Sequence, residues 1–432
     1  MSMRNKIIIG CMLLGALSVG AQEKPVTAAD YKQKVLEYSR QIKQSAEERI
    51  AMQHAIKAAK TAFFPAVDFS GRYQYRINKY DLDFGPGMAV EMDHNTYSLG
   101  ATVSQPIYAG GQIYNNYKAA QIQGQIASEA EDLTTDNIVY AADLNYWSAA
   151  ARKGMYDVMC QYVDIVQELA NVLTTRFNDG QISKTDLLQV QSRLKEAELN
   201  KSAAYKDYQI ALQNLNVLMG VPPMTPVEIA DAITTVQPLP MHIGEEAALQ
   251  NRPDFTISRL NVEYQKRQIN LSKAKYNPTL AIGFQGTWGT PMLNVKGSDQ
   301  LWTPAVFASL KIPLFRWGAR FKEVNSQKAI LRSKEYVMDY TRDQISQEVA
   351  NSWTSLTENT KQIDVAEEAC KIAEENLDLN TFSYKEGKLP ILDVLSAQLS
   401  WIQSYSSLIQ TWYQQKASLA QYNKAVGIRR LQ

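Results

Sequence analysis

The hexapeptide PIYAGG at Pro106–Gly111 returns 207 residues later as PLFRWG at Pro313–Gly318. The same offset relates the tetrapeptide FNDG at Phe177–Gly180 to YKEG at Tyr384–Gly387. Matches that keep one order and one offset indicate an internal duplication rather than chance. The chain therefore contains two copies of one unit of about 200 residues.

Two further matches show how far each copy extends. Leu212–Gly220 lies over Leu419–Gly427 at the same offset. An alanine-lysine pair precedes both Pro65 and Pro278, so the copies also share the segment before the glycine motif. A stretch rich in proline separates them. These matches divide the chain into a first repeat at 22–220, a connection at 221–244 and a second repeat at 245–432.

Each copy contains two strands with one apolar and one polar face. Between residues 66 and 77 apolar and polar side chains alternate at every step, which is the period of a half-buried strand. Weaker alternation covers residues 96–107, and the second copy repeats both stretches around a loop at 290–300. The sequence predicts hairpins at about 66–108 and 279–314. Their strands have the length that a tilted membrane strand needs.

Long helices make up most of the rest of each copy. From about residue 112 to 177 only two glycines interrupt a helical pattern, and such a helix would span about 100 Å. Two neighbouring apolar stripes on it indicate packing on two sides, as in a ring of helices. The other predicted helices lie at about 27–60, 185–219, 245–275, 319–382 and 391–426, with turns at about 177–186 and 383–393.

Composition narrows the class of protein. The chain has 45 basic and 44 acidic residues, for a net charge of +1, which argues against a nucleic-acid binder. A mean hydropathy of −0.31 and the lack of an apolar run of about 18 residues argue against helices that cross a membrane. The apolar run Ile7–Val19 follows Arg4 and Lys6, which predicts a cleaved export signal at residues 1–21.

Four strands with one apolar face cannot lie alone in lipid, because their edges would leave backbone groups unpaired. Closed membrane barrels have about eight strands or more, so several chains must contribute. The other strand faces carry polar side chains, which predicts a wet interior. These are Asp68, Arg72, Gln74, Arg76, Gln285 and Lys311. The residues favour a water-filled oligomeric duct. The alternative is a solid coiled coil with a structural or adhesive function, which would bury one narrow stripe only.

No catalytic constellation accompanies these elements. His54, His94 and His242 lie in separate elements and form no ligand set for a metal. The sequence contains neither a nucleophile motif nor a glycine-rich phosphate loop. It therefore predicts a protein that is not an enzyme and that holds no catalytic residue, metal or cofactor.

Three features of the sequence carry a family resemblance: ALQNRPDF at Ala248–Phe255, the alanine-lysine pair before Pro278, and the turns that end at Gly180 and Gly387. On these features, essentially the whole mature chain resembles the TolC-like outer membrane efflux protein family. The resemblance implies a mainly α protein with membrane β-strands. A homotrimer would form one twelve-stranded outer membrane barrel, with four strands from each chain, continued by a long periplasmic α-helical barrel.

The resemblance also implies a function and partners. Such a protein is a passive exit duct of a tripartite efflux or type I secretion system. It sits in outer membrane lipid and is opened at its periplasmic tip by a periplasmic adaptor and an inner-membrane pump or exporter.

The resemblance further implies that Asp186 and Asp393 lie near the constriction at this tip. Tyr384 would belong to the bonds that hold the tip closed. From the residues alone, each aspartate starts a helix, where capping of the helix is the simpler role. Gly180 and Gly387 fit left-handed turns.

Two basic residues flank the predicted tip turns. Arg176 precedes the first glycine, and Lys388 directly follows the second. They either pair with tip acids across chains or face solvent. Some members of the family carry a further aspartate three residues after the one at Asp393; this chain has Ser396 there and departs from the pattern of a double acidic ring.

Overall fold

The computed structural model describes residues 25–78, 81–83, 85–86, 89–291 and 294–428, so the export signal predicted at residues 1–21 lies outside the described residues. Within them the chain forms eight helices and six strands. In chain order these are α1 (Ala28–Tyr38), α2 (Arg40–Thr61), β1 (Ala66–Tyr75), β2 (Asp81–Asp83), β3 (Ala89–Glu91), β4 (Asn95–Ala109), α3 (Gln112–Asn178), α4 (Lys184–Met219), α5 (Glu245–Asn251), α6 (Pro253–Ala274), β5 (Thr279–Gly289), β6 (Leu301–Lys311), α7 (Ala319–Lys385) and α8 (Ile391–Ala425).

The main strands form one antiparallel sheet in the order β1-β4-β5-β6. The hairpins of the two repeats therefore lie side by side, joined where β4 pairs with β5. Strand β1 is one edge of the sheet and β6 is the other. Both edges present unpaired backbone groups to a further strand.

The register places the alternating side chains on two distinct faces. One row across the four strands consists of Val67, Val103, Phe284 and Val306. The neighbouring row contains Asp68 and Gln285 and points to the other side, because successive side chains of a strand alternate. One face of the sheet is thus apolar and the other is polar.

The outer loops of the two hairpins are tied together. The first loop contains the short hairpin of β2 and β3, which the alternation of the sequence does not reveal. Asn294 in the second loop is buried, and its side chain donates hydrogen bonds to the backbone oxygens of Asp93 (3.2 Å) and Asn95 (2.7 Å). Lys296 pairs with Glu91 at 3.0 Å.

The structure divides both predicted short helices. The helix expected at about 27–60 breaks at Ser39, whose hydroxyl caps α2 by accepting from the amide of Ile42. The helix expected at about 245–275 breaks at Arg252, which is extended because Pro253 follows it. In the second hairpin, β6 ends at Lys311 rather than at the predicted 314.

The helices α3 and α7 have 67 residues each, so each spans about 100 Å. Each of them packs along its return helix, α4 or α8, and α3 also contacts α8. The predicted stripe on α3 is buried in this packing, at Tyr162, Val166, Leu169 and Leu173. Among the described residues, no helix has enough length and apolar character to cross a membrane. The sheet lies at one end of the long helices, and the two turns lie at the other.

Candidate functional site

The two turns at the far end of the long helices have the same backbone. Gly180 and Gly387 have φ angles of 69° and 74°. The first turn closes with a hydrogen bond from the amide of Gln181 to the oxygen of Arg176 (2.8 Å), and the second with the equivalent bond from Lys388 to Ser383 (2.9 Å). A backbone hydrogen bond of this kind around a left-handed glycine is a common way for a helix to end. The two turns are called the first tip and the second tip below.

Both tip aspartates occupy the first turn of a return helix. The hydroxyl of Ser183 caps α4 by accepting from the amide of Asp186 (3.2 Å), and it donates to the Asp186 carboxylate (2.9 Å). At the second tip Pro390 occupies the equivalent position and offers no side-chain cap. The Asp393 amide instead donates to the backbone oxygen of Pro390 (3.2 Å). Asp186 is half-buried and Asp393 is exposed.

Arg176 links the two tips within one chain. Its guanidinium donates to the backbone oxygens of Tyr384 (3.3 Å) and Lys385 (2.6 Å). Its Cζ atom also lies 5.3 Å from the centre of the Tyr384 ring. These oxygens end α7, where a cation is favoured by the helix dipole and by carbonyls that lack helical partners. Within the single chain, Arg176 thus binds backbone carbonyls.

Tyr384 is the buried residue of this cluster, with 6% of its surface exposed. Its hydroxyl accepts and donates no hydrogen bond within the described chain. Burial raises the pKa of the hydroxyl, while the nearby guanidinium of Arg176 opposes this and the carboxylate of Asp186 adds to it. A buried hydroxyl without a partner is rare in folded proteins. Within the described chain the Tyr384 hydroxyl therefore has no partner at hydrogen-bonding geometry, although the Arg176 guanidinium lies close enough to it to lower its pKa.

The structure brings Arg176 into contact with Tyr384, and the Asp186 carboxylate is near enough to raise the pKa of Tyr384. Lys388 is exposed at the second tip. Neighbouring Lys385 pairs with Glu168 across the tips at 3.6 Å. The aromatic residue of the first tip, Phe177, is half-buried against the helical core.

A second polar cluster, which sequence reasoning missed, lies beside the 221–244 connection. The Asp231 carboxylate accepts from the amide of Ala28 (2.7 Å) and lies 2.8 Å from the hydroxyl of Tyr146. Lys416 is 3% exposed, donates to the backbone oxygen of Thr235 and lies 4.3 Å from the centre of the Trp147 ring. Burial lowers the pKa of Lys416 to about 8, against the opposing effect of Asp231.

Trp147, Asp231 and Lys416 line a cleft of about 1000 Å³ between the connection, α1, α3 and α8. The one signal in the sequence was a lysine inside the apolar stripe of α8, between Trp412 and Leu419. No residue pattern ties it to the connection, because the contact joins segments about 180 residues apart.

Within the described part of the chain, no group of three or more His, Cys, Asp or Glu side chains is placed to hold a metal ion. His94 bonds to the backbone oxygen of Arg76 (2.7 Å) and stacks on Tyr75. His242 packs edge-on against Trp353. Both of these histidines therefore have packing roles.

A sheet with one apolar face, joined to helices of about 100 Å that end in paired turns, defines a class of envelope proteins that combine membrane strands with a long helical extension. This chain belongs to the outer membrane efflux protein family, whose model matches residues 32–221 and 246–428. The gap between the two matched segments falls close to the connection predicted at residues 221–244.

Several known proteins share this sequence pattern or fold. The outer membrane efflux protein BepC of Brucella suis biovar 1 (strain 1330) is 20% identical over 359 residues, which are 82% of this chain and 75% of that protein. The outer membrane protein TolC of Escherichia coli (strain K12) is 20% identical over 448 residues, 98% of this chain and 85% of that protein. The Campylobacter jejuni CmeC outer membrane channel has the same fold, with a TM-score of 0.79 and 15% identity over 93% of this chain and 85% of that one.

Membership of the family confirms several predictions. The fold is mainly α with membrane β-strands, and the protein is located in the outer membrane with its helices in the periplasm. The family consists of efflux proteins, so the prediction of a transport protein rather than an enzyme is also confirmed.

Proposed function

We propose that three copies of this chain form a passive exit duct of a tripartite efflux or type I secretion system. The observation that carries the proposal is the open four-stranded sheet, apolar on one face and polar on the other, with both edges free. Lipid does not tolerate free strand edges. Three copies supply twelve strands, and the polar faces then line a wet lumen.

Unburied apolar stripes on the helices support the same assembly. Val365, Ile372 and Leu379 are exposed on α7 at intervals of seven residues, which is the spacing of a helix that packs along another helix. Helix α4 likewise exposes Leu188 and Leu199. Neighbouring copies would cover both stripes and complete a ring of helices around the lumen.

The tips supply a gate in this proposal. Arg176 holds the two tips of one chain together, so closure requires its contacts with Tyr384 and Lys385. Three copies place three Asp186 and three Asp393 carboxylates around one axis, where like charges favour opening or bind cations. The vacant hydroxyl of Tyr384 would find its partner in the neighbouring copy.

The remaining assignments follow from this duct. Residues 1–21 would direct export, 22–220 and 245–432 would form the two repeats, and 221–244 would belt the helices midway. Gly180 and Gly387 shape the tips, and exposed Lys388 is available to partners. Those partners are a periplasmic adaptor and an inner-membrane pump or exporter, with lipid around the barrel. The duct needs no cofactor, because its partners supply the energy.

Single-channel recording in planar bilayers tests the proposal. The mature protein should form a small, cation-selective conductance that divalent cations block. The double variant Asp186→Ala with Asp393→Ala should relieve that block. A matched control is Asp179→Ala with Glu386→Ala, which removes two exposed acids from the same two turns and should leave the block in place.

Two results would contradict the proposal. A folded trimer that conducts no ions, even when Arg176→Ala unlinks the tips, would remove the duct. Equal relief of block by the control pair would show that general tip charge, rather than Asp186 and Asp393, controls the constriction.

A further inference from the structure

The two junctions between strand and long helix share an unusual backbone. Gly110 and Gly111 have φ angles of 62° and 87°, and their counterparts Trp317 and Gly318 have 47° and 72°. Trp317 is the one non-glycine residue with a positive φ among the described residues. A bulky side chain is disfavoured in this conformation. In the single chain the ring of Trp317 packs edge-on against the ring of Phe315, with ring centres 5.0 Å apart, and both residues remain largely exposed.

The first junction shows what such a backbone packs against. A Cβ atom at Gly110 would lie 2.8 Å from the backbone oxygen of Ala274 and 2.8 Å from Cβ of Asn277. Asn277 also donates to the oxygen of Gly110 (2.9 Å). The first junction is therefore closed against the link between α6 and β5. The second junction is open, and Trp317 is 87% exposed.

The segments that lead into the two junctions also differ, because one is paired with a neighbouring strand and the other is not. Residues 105–109 of β4 lie beyond its pairing with β1 and pair with β5 alone, from Gln105 opposite Ile282 to Ala109 opposite Thr279. Their counterparts, residues 312–316, have no partner strand in the described part of the chain. Among them Ile312, Leu314 and Phe315 are exposed apolar residues.

Strand β1 is the first strand of its hairpin, as β5 is of the other. The free edge of β1 therefore corresponds to the edge of β5 that pairs with β4. Strand β1 starts at Ala66 after Pro65, as β5 starts at Thr279 after Pro278. We propose that residues 312–316 of one copy pair with Ala66–Phe69 of the next copy, and that Trp317 packs on Phe64 and Pro65 of that copy. The inference rests on the homotrimer of the proposed function and specifies the contact that closes it.

The repeat fixes the register of this pairing. Transferring the β4–β5 pairs places Ile312 opposite Phe69, Phe315 opposite Val67 and Arg316 opposite Ala66 of the next copy. The four large apolar members are exposed in one chain, and in this register they fall on the apolar face. They are Val67, Phe69, Ile312 and Phe315. A slip by one residue would turn these side chains to the polar face.

Two further matches support the register. On the apolar face, Val306 falls opposite Tyr75, and both are exposed in the single chain. On the polar face, Lys311 falls opposite Ser70 and therefore diagonal to Asp68 of the next copy. Opposite charges at such diagonal positions are within reach of each other in a sheet.

The proposed junction between copies has more space for Phe64 and Trp317 than the first junction has. Phe64 holds the position before Pro65 that Asn277 holds before Pro278, and it is exposed. The link at 61–64 is two residues longer than the link at 276–277. The added length leaves room for Trp317 where the first junction admits only a glycine.

Disulfide cross-linking tests the register. On a Cys160→Ala, Cys370→Ala background, Ser309→Cys with Arg72→Cys joins two positions that the register places opposite each other. Strands β1 and β6 are opposite edges of the sheet, about 14 Å apart, and a disulfide needs Cα atoms within about 7 Å. Any disulfide between them must therefore join two copies. We expect covalent oligomers from this pair and few from the control, Ser309→Cys with Gln74→Cys.

A second experiment tests the contact of Trp317. If Trp317 carries only backbone strain, Trp317→Gly should raise the temperature at which detergent dissociates the oligomer. The proposed contact predicts a lower temperature, and Phe64→Ala combined with Trp317→Gly should lower it no further than one substitution alone. Phe321→Ala, an exposed aromatic residue in the first turns of α7, serves as the control.

The outcomes separate this inference from the proposed function. An intact trimer that cross-links through the control pair, or through neither pair, overturns the register but leaves the duct. Additive effects of Trp317→Gly and Phe64→Ala would assign Trp317 to the lipid interface instead. A folded chain that stays monomeric in mild detergent overturns both.

Discussion

The first tip and the second tip share a backbone but differ in the side chains around it. Arg176 in the first tip corresponds to Ser383 in the second, at the offset of the duplication. Phe177 corresponds in the same way to Tyr384, and Ser183 corresponds to Pro390. The glycine of the turn and the aspartate of the return helix are the same in both.

This difference shows which positions the backbone requires and which it leaves free. A left-handed turn requires glycine in both repeats, and the helix start favours an acid. The positions between them are free to differ, and here they have become complementary. The first tip supplies the cation, Arg176, while the second supplies the carbonyls and the ring that receive it. The two tips of the duplicated chain thus have distinct roles, one as the donor and the other as the acceptor of the same contact.

Removing the cation should break this complementarity with the largest effect. Arg176→Ala leaves two helix-end carbonyls without their charged donor, a loss of about 1.5–3 kcal/mol. If the tips separate on opening, the open fraction should rise by about tenfold to a hundredfold, measured as single-channel conductance. Arg176→Lys should be intermediate, because lysine keeps the charge but not the fork geometry.

The exposed Lys388 provides the reference for Arg176. Its side chain is exposed at the second tip, so Lys388→Ala should leave the conductance near the wild-type value. Equal effects of Arg176→Ala and Lys388→Ala would show that net tip charge, not the Arg176 link, keeps the tip closed.

The next prediction concerns the hydroxyl that distinguishes Tyr384 from Phe177. In one chain this hydroxyl has no partner, so Tyr384→Phe should leave the stability of the monomer unchanged or slightly raise it. If the hydroxyl bonds to a neighbouring copy in the closed trimer, its loss costs about 1 kcal/mol and raises the conductance several-fold. No change in conductance would limit Tyr384 to packing under Arg176. Phe177→Tyr is the matched substitution in the first tip and should not tighten closure.

The smaller structural difference between the tips is the helix cap. Ser183→Ala should destabilise the start of α4 by about 1 kcal/mol, and the amide of Asp186 should exchange hydrogen faster. Pro390→Ala should leave the amide of Asp393 protected, because that amide donates to the backbone oxygen at residue 390, which the substitution retains. If the two substitutions made the amides of Asp186 and Asp393 exchange equally faster, general fraying of the helix ends, rather than the serine cap, would control the exchange.

Periodicity explains how much of the fold the sequence predicts. Alternation revealed β1, because each side chain of an open sheet faces either one side or the other. The absence of proline and an unbroken helical pattern revealed α3 and α7. The break at Ser39 was not predicted, because neither glycine nor proline marks it and a single hydroxyl cap creates it.

Contacts between distant segments explain what the sequence left open. The tip glycines and aspartates could be located from the turn pattern, yet the binding of Arg176 to carbonyls 208 and 209 residues away depends on how α3 and α7 align at their ends. The same holds for Lys416, which α8 carries to the connection. The local sequence pattern predicts where a helix begins and ends. Which helix ends contact each other depends on how the helices pack.

The two repeats also differ at the middle of the helices, where Lys416 is buried. The expected effect of this difference, on stability as a function of pH, is the smallest. The counterpart of Lys416 in the first repeat is Gln209. Because the folded pKa is about 8 and the usual value is 10.5, the unfolded chain binds more protons than the folded chain between these pH values. The contribution of this group to the free energy of unfolding therefore rises with pH in that window.

Lys416→Gln restores the residue of the first repeat and removes this dependence. Between pH 7.5 and 9 the wild type should gain about 1 kcal/mol relative to the variant, measured as a shift between their thermal midpoints. Lys424→Gln, on the same helix and the same cleft, should follow the wild type. A constant difference between wild type and Lys416→Gln over this range would mean that Lys416 stays charged on the ring of Trp147, and that the two repeats differ there by packing rather than by titration.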